Sequence, residues 1–504
     1  MMMLRLAAFA FGFGLAACGD SYVVVTVDAQ PGVVGATTLT VVATNAGAVS
    51  TDSLELGAHQ FPTTFSITTS GRSGELELAL SALGSDGTLL AVGSGSTSAG
   101  DAVAIMLEPA DFVVNTDTTS DNFLSTDYEA KGFQLGATDG GPWTVSFRND
   151  CTNDCQIFAR MFDQTGQPLK TEVASSTNEF TLTTTATDDQ TFPAVGAANA
   201  STLVAWDFTN GSGNEGIGCR GVDASGSLAT ANQATLSTDA ADVATVAPLS
   251  SGDFAISWQI TAPSLAIRTV VAQPDCTPVG AVQTASTIVG ASEGPHRAAL
   301  ADNASSVLYT WITDGAVHAR SATPSGAFNG PEATLFPAPT GYTIEQARVA
   351  PLGAGFGVAV RMITADGTTG GQIVLLATNA AGQLLTQTPT TISAATGADF
   401  SVGAQGFGIA TRDDGATLIA WQQCDDGSAG PCAGHLDVYG AVVDSTGAVV
   451  DPPFEIPTTT DGDQDAPAVA ALGSAFAVAW DDASSATPHA AVRARVIYPA
   501  FGGN

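Results

Sequence analysis

Four arginines, Arg160, Arg220, Arg320 and Arg493, recur at similar places beside a repeated strand pattern. Brought to one point they would hold a carboxylate, because a guanidinium offers paired N–H donors. Kept apart, each would supply one structural hydrogen bond per repeat, and their regular recurrence favours that reading. The acidic turn Asp461-Gly-Asp-Gln-Asp465 could offer oxygen ligands to Ca²⁺. It lacks the spacing of an EF-hand loop, and its copy at Asp188-Asp189-Gln190 points to a turn role instead. The histidines (His59, His296, His318, His435 and His489) are scattered and form no His-Glu-x-x-His pair. Gly93-Ser-Gly-Ser-Thr97 matches the Gly-x-Ser-x-Gly nucleophile elbow only in part and fails as one. No catalytic residue and no metal ligand is assigned on these grounds.

The cysteines are more informative. Cys18 follows Leu15-Ala16-Ala17 and an apolar run, Leu6 to Ala17, led by the single charge of Arg5. This order resembles the lipobox of bacterial lipoproteins. The resemblance implies that residues 1–17 are a signal peptide and that Cys18 is lipidated. It also implies that the chain is held in the cell envelope by a lipid anchor, outside the cytoplasm. Gly19 rather than Asp after the cysteine resembles outer-membrane sorting. The run itself is too short to span a bilayer, which takes roughly 20 apolar residues. Removing Cys18 from the seven cysteines leaves an even set. Cys151 with Cys155, and Cys424 with Cys432, read as clips across hairpins. A metal site is the rival for both pairs, but neither has His or Cys partners at zinc spacing. Cys219 and Cys276 remain, and by elimination could join neighbouring repeats.

These residues must be carried by strands. The chain has 504 residues and 44% hydrophobics, with 55 glycines and no long helical patterns. Asp and Glu number 49 against 15 Lys and Arg, a net charge of -34. Such a polyanion is repelled by nucleic-acid backbones, which excludes that class of partner. In residues 18–109, six or more short strands with turn signals such as Asp86-Gly87 predict an immunoglobulin-like β-sandwich.

From residue 110 onward the chain repeats. A five-residue strand ends at Phe147, Trp206, Trp258, Trp311, Val360, Trp421 and Trp480, at spacings of 59, 52, 53, 49, 61 and 59. A preceding apolar strand recurs as Val246-Ala-Pro-Leu249, Val349-Ala-Pro-Leu352 and Val469-Ala-Ala-Leu472. Three or four strands in about 50 residues is the period of a propeller blade, so residues 110–504 predict a seven-bladed β-propeller. The last repeat runs out of chain after Arg493-Ala-Arg-Val-Ile497, and segment 112–116 is the expected substitute strand that closes the ring. The tryptophans could stack on carbohydrate, but their fixed register argues for packing between blades.

The whole arrangement, all-β with a sandwich and an acidic propeller, resembles repeat-propeller lipoproteins of myxobacteria and related bacteria. That resemblance implies architecture and location but little chemistry. The expected function is a membrane-anchored binding or scaffold module that meets a protein or glycan through its propeller. The alternative is a polysaccharide hydrolase or lyase with its site at the central channel. Fold alone does not separate the two.

Overall fold

The computed structural model describes residues 22–57, 61–69, 74–98, 100–116, 133–138, 141–149, 155–170, 178–184, 188–261, 264–286, 296–365, 371–393, 407–424, 435–484 and 491–499. Two compact units emerge. One comprises residues up to Asp111 with Arg495–Tyr498, and the other the remainder from Phe112 onward. Every named element is a strand. Among the described residues no helix is long and apolar enough to cross a membrane.

The first unit has seven strands: β1 (Tyr22–Ala29), β2 (Thr38–Asn45), β3 (Ala48–Glu55), β4 (Thr63–Thr68), β5 (Glu75–Leu83), β6 (Leu89–Ser98) and β7 (Ala102–Pro109). They hydrogen-bond in one continuous order, β3-β2-β5-β6-β7-β1-β4. Only the β1–β7 pair is parallel; the other pairs are antiparallel. Alternation sets the core, because successive side chains point to opposite faces. Val23, Val25 and Val27 of β1 face inward with Leu39, Val41, Leu78, Leu80, Phe65 and Ile105. The β2–β3 hairpin turns on Ala46-Gly47, both at positive φ, where glycine is at no disadvantage. β3 has no signature in the sequence reading because it is polar and only half-buried along its length. The broad expectation of an all-β unit holds. The finer one, an immunoglobulin-like pair of face-packed sheets, is not shown by this continuous strand order.

The second unit is a seven-bladed β-propeller, with seven sheets of four strands each. The first strands of the blades are Phe133–Ala137, Asp189–Ala198, Ala241–Pro248, His296–Asp302, Tyr342–Leu352, Phe407–Thr411 and Gln464–Leu472. Each neighbours the next, and the last abuts the first, so the ring closes. The second strands carry the repeated motif. Val307–Thr313 and Ala475–Asp482 are buried at every position, because each sheet is packed on both faces by its neighbours. That is why these strands read as continuous apolar runs rather than as alternation.

The fourth strand of blade 7 is Phe112–Val113, paired with the C-terminal strand through Arg493↔Val113 and Ala494↔Phe112. Val114 N–H donates to Val492 O at 2.7 Å, and Val492 N–H donates to Asn115 Oδ1 at 2.8 Å. The same segment is gripped by blade 1. Arg160 Nη1 donates to Val114 O at 2.6 Å, and Thr116 Oγ1 donates to Glu179 Oε2 at 2.6 Å.

Candidate functional site

The first strands end on a central channel. At one register each blade contributes a branched apolar side chain: Leu135, Val195, Val246, Leu300, Val349, Ile409 and Val469. These form a collar. The next position along is always Gly or Ala, from Gly136 and Gly196 to Ala470. The reason is contact with the adjacent blade. A Cβ on Gly136 would sit 2.8 Å from Val195 Cγ1, and one on Gly196 would sit 2.6 Å from Val246 Cγ1. The Val-Ala-Pro-Leu pattern of the sequence is therefore collar, spacer, rim and core.

On the turn side of the collar lies a vestibule of about 860 Å³. Its walls are Ala, Pro248 and Pro351. Its rim carries Asn199, Ser250, Asp302, Asn303, Asp413 and Asp414. Several of these are already held: Ser250 N–H donates to Asp302 Oδ2 at 2.6 Å, and Arg412 bonds Asp414 at 2.5 Å. The Arg412 guanidinium holds the Asp414 carboxyl below the usual carboxylate range.

On the other side, the first strands are bulged. Register shifts occur between Thr191 and Ala194, Asp242 and Thr245, Ile344 and Gln346, and Asp465 and Ala468. Phe192, Val243 and Ala466, each three residues before the collar, sit at φ of 51°, 49° and 53°. Left-handed backbone at a β-branched valine is costly, on the order of 1–3 kcal/mol, and is kept only where packing enforces it. Gln422 helps by accepting the Ala466 N–H at 3.0 Å. Asp207 is buried here and accepts from Thr191 Oγ1 at 2.7 Å. Burial, then repulsion from Asp242, pushes its carboxyl well above the usual range.

The recurring arginines do not meet at the channel. Arg160, Arg220 and Arg320 occupy one register, opposite Val145, Val204 and Tyr309. Each reaches back to the end of the preceding blade: Arg160 to Val114 O, Arg220 to Leu182 O at 2.8 Å, Arg320 to Ala285 O at 3.1 Å. They are inter-blade straps. Arg493 instead pairs with Asp482 at 2.8 Å. All six tryptophans are fully buried, so none is available to stack on a sugar. The acidic turns also act structurally: Asp189 Oδ1 accepts the Cys155 N–H at 3.1 Å, and Asp463 Oδ1 accepts the Leu436 N–H at 3.0 Å. Among the described residues no cluster of three His, Cys, Asp or Glu could hold a metal ion.

Cys219 and Cys276 form a disulfide between blades 2 and 3. Its placement has a local logic. The turn after each third strand puts a residue at positive φ, supplied by Gly166, Gly226, Gly326, Gly382 and Gly447. In blade 3 that residue is Cys276, at 69°. The turn presses on Gly221, where a Cβ would lie 1.7 Å from Pro274 O. Sequence spacing showed no sign of this contact. Cys155 and Cys424 are also disulfide-bonded. Cys18, Cys151 and Cys432 lie outside the described residues.

No protein-family model matches the sequence, and no curated protein matches it. Solved structures are similar at the level of the fold. The BP39L lectin from Burkholderia pseudomallei has 14% identity and a TM-score of 0.47, covering 74% of this chain and 97% of its own. The Hadza microbial sialidase Hz136 has 9% identity and a TM-score of 0.41, covering 95% and 93%. An α-L-arabinanase from Penicillium chrysogenum has 11% identity and a TM-score of 0.39, covering 61% and 93%.

Proposed function

We propose that this chain is a lipid-anchored module of the cell envelope, sorted to the outer membrane, that binds a glycan in the turn-side vestibule of its propeller. In this reading the first unit, immunoglobulin-like in its strand content, follows the anchor at Cys18 and precedes the propeller in the chain. The observation that carries the binding reading is the vestibule itself. Its volume of about 860 Å³ falls in the range of small-ligand sites, roughly 300–1,000 Å³. Its floor is the apolar collar and its rim is rich in short acceptors and amides. An apolar floor under a polar rim suits a sugar, whose ring faces are apolar and whose edges carry hydroxyls. Two rim carboxylates, Asp302 and Asp414, are engaged by Ser250 N–H and by Arg412. A scaffold role that engages a protein on the same rim is the second form of this reading.

The experiment is titration of the protein with neutral oligosaccharides, read by calorimetry, beside a Ser250→Trp variant. Ser250 is an exposed rim residue, so the indole fills the vestibule without entering a core. Binding by the parent and its loss in the variant are expected. Equal binding by both would remove the vestibule from the account. Release of new reducing ends would favour the hydrolase reading, and unsaturated products the lyase. For the anchor, Cys18→Ala should move the protein to the soluble fraction; retention in membranes would contradict lipidation.

A further inference from the structure

The vestibule is not uniform around its ring. Two residues past the collar, six blades carry uncharged residues: Ala137, Ala197, Pro248, Pro351, Thr411 and Ala471. Blade 4 carries Asp302 there. Blades 3 and 5 flank blade 4, so a carboxylate stands between Pro248 and Pro351 in the ring.

Asp302 is held in one orientation. Its Oδ2 accepts the Ser250 N–H at 2.6 Å, from the turn of blade 3, and its Oδ1 accepts the Ala304 N–H at 3.0 Å, from its own turn. Both donors are neutral backbone groups, so they fix the carboxylate without cancelling its charge. A carboxylate offers about four acceptor positions, and these two bonds leave room for further donors. The side chain is only half-buried, so a ligand in the vestibule can reach it. Arg412 is the only basic residue among the described lining residues. It is committed elsewhere, donating to Ser474 O at 2.5 Å and to Asp414 Oδ2 at 2.5 Å. The vestibule is therefore anionic at blade 4, within a chain of net charge -34. Such a field gathers cations and turns away anionic sugars.

We propose, on the strength of the glycan reading above, that the vestibule selects a glycan with a free amino group, protonated to an ammonium that donates to Asp302. An ammonium brings three donors and one positive charge, so it meets a fixed carboxylate through charge-assisted bonds. A hydroxyl in its place keeps a hydrogen bond and loses the charge. An N-acetyl group loses the charge and adds bulk. A uronate would set a second carboxylate against Asp302, and like charges repel. Pro248 and Pro351 offer apolar surface to the sugar ring on either side.

The test is calorimetric titration in weakly acidic buffer, where the amine is charged. The ligands are the disaccharide of glucosamine, its N-acetylated form, and cellobiose, which has hydroxyls in place of the ammonium groups. The glucosamine disaccharide should bind about 10-fold more tightly than the other two, the span of one charge-assisted hydrogen bond. Asp302→Asn, which keeps the size of the side chain, should lose that preference. Ser250→Trp should lose binding of all three, and a preference retained there would place the site elsewhere and overturn the assignment. Equal binding of the three by the parent protein would overturn the ammonium assignment and leave the glycan reading standing. Binding of none would remove both. An undiminished preference in a folded Asp302→Asn protein would overturn the assignment as well. Should that variant fold poorly, salt decides in the parent: about 0.5 M salt should shrink the preference, because screening weakens only the charged contact. A preference that salt leaves unchanged would overturn it.

Discussion

The two units handle strand edges in opposite ways. The N-terminal sheet is open. It ends on β3 at one side and β4 at the other, and both terminal strands have one side unpaired within the sheet. β3 is half-buried and carries Asp52 and Glu55, as an edge must if it is not to recruit another chain. The propeller closes its ring instead, using a strand that lies more than 370 residues from its partner in sequence. The open sheet depends on one core, with three hairpins joined by the more distant pairs β2–β5, β1–β4 and β1–β7. A ring depends on every blade being present, since each sheet buries its faces on its neighbours.

The sharpest way to break that contrast is to remove the closing segment. Deleting residues 112–116 strips blade 7 of its fourth strand and frees blade 1 of its bonds through Arg160 and Glu179. The propeller's melting temperature should fall by roughly 10 °C or more, because the loss spreads to both neighbours of the seam. Calorimetry should show a transition for each unit, and that of the N-terminal sheet should move much less. Equal shifts in both transitions would show that the units do not melt separately.

A second prediction separates two effects at one turn. Cutting the Cys219–Cys276 bond releases a loop with a sequence separation of 57, worth about 4 kcal/mol in the chain-entropy account. Cys276→Ser loses the bond but keeps a side chain at positive φ. Cys276→Gly loses the bond and restores the residue that the other blades use there. Chemical denaturation should find the glycine variant about 1 kcal/mol more stable than the serine variant. The reverse order would mean that the blade 3 turn does not share the conformation of its repeats.

A third prediction concerns the straps. Arg220 donates to Leu182 O at 2.8 Å, Thr230 O at 2.9 Å and Ala231 O at 2.7 Å. Arg220→Ala leaves those carbonyls without that donor and should cost about 2–3 kcal/mol. Arg220→Lys should recover little of it, because a single ammonium cannot span the three acceptors. Full rescue by lysine would reduce the strap to simple charge.

Which parts of this were legible follows from the same contrast. The ring was readable because repetition multiplies a weak signal: one Thr-Leu-Val-Ala-Trp strand means little, whereas seven at a near-constant spacing define a blade. The need for a closing strand followed from the missing partner after Ile497. In the open sheet there is no repetition, so β3 was silent and the strand order could not be fixed. The channel was hidden for another reason. Val246, Val349 and Val469 looked like ordinary core residues, and only their convergence with Leu135 and Ile409 makes a collar. The arginines that did repeat proved to be straps, because what recurs in every blade serves the blades.

The smallest effect is the most specific. The core of the open sheet is a purely apolar cluster, whereas the ring buries carboxylates between its blades. Asp207 is one, its carboxyl raised by burial and by Asp242. A carboxyl raised in the folded state favours folding only while it is protonated. Its contribution is fully present below the unfolded value, about 3.9, and is lost as the pH climbs through the folded value. At neutral pH the ionised form therefore costs stability. Asp207→Asn keeps an oxygen that can accept from Thr191 Oγ1 and removes the charge. The variant should melt a few degrees higher than the parent at pH 7, and the gap should close as the pH falls to about 4. A gap that stays constant with pH would place the gain in packing rather than in charge. A variant less stable at pH 7 would mean that Asp207 is ionised and paired, and that the ring tolerates buried charge where the open sheet excludes it.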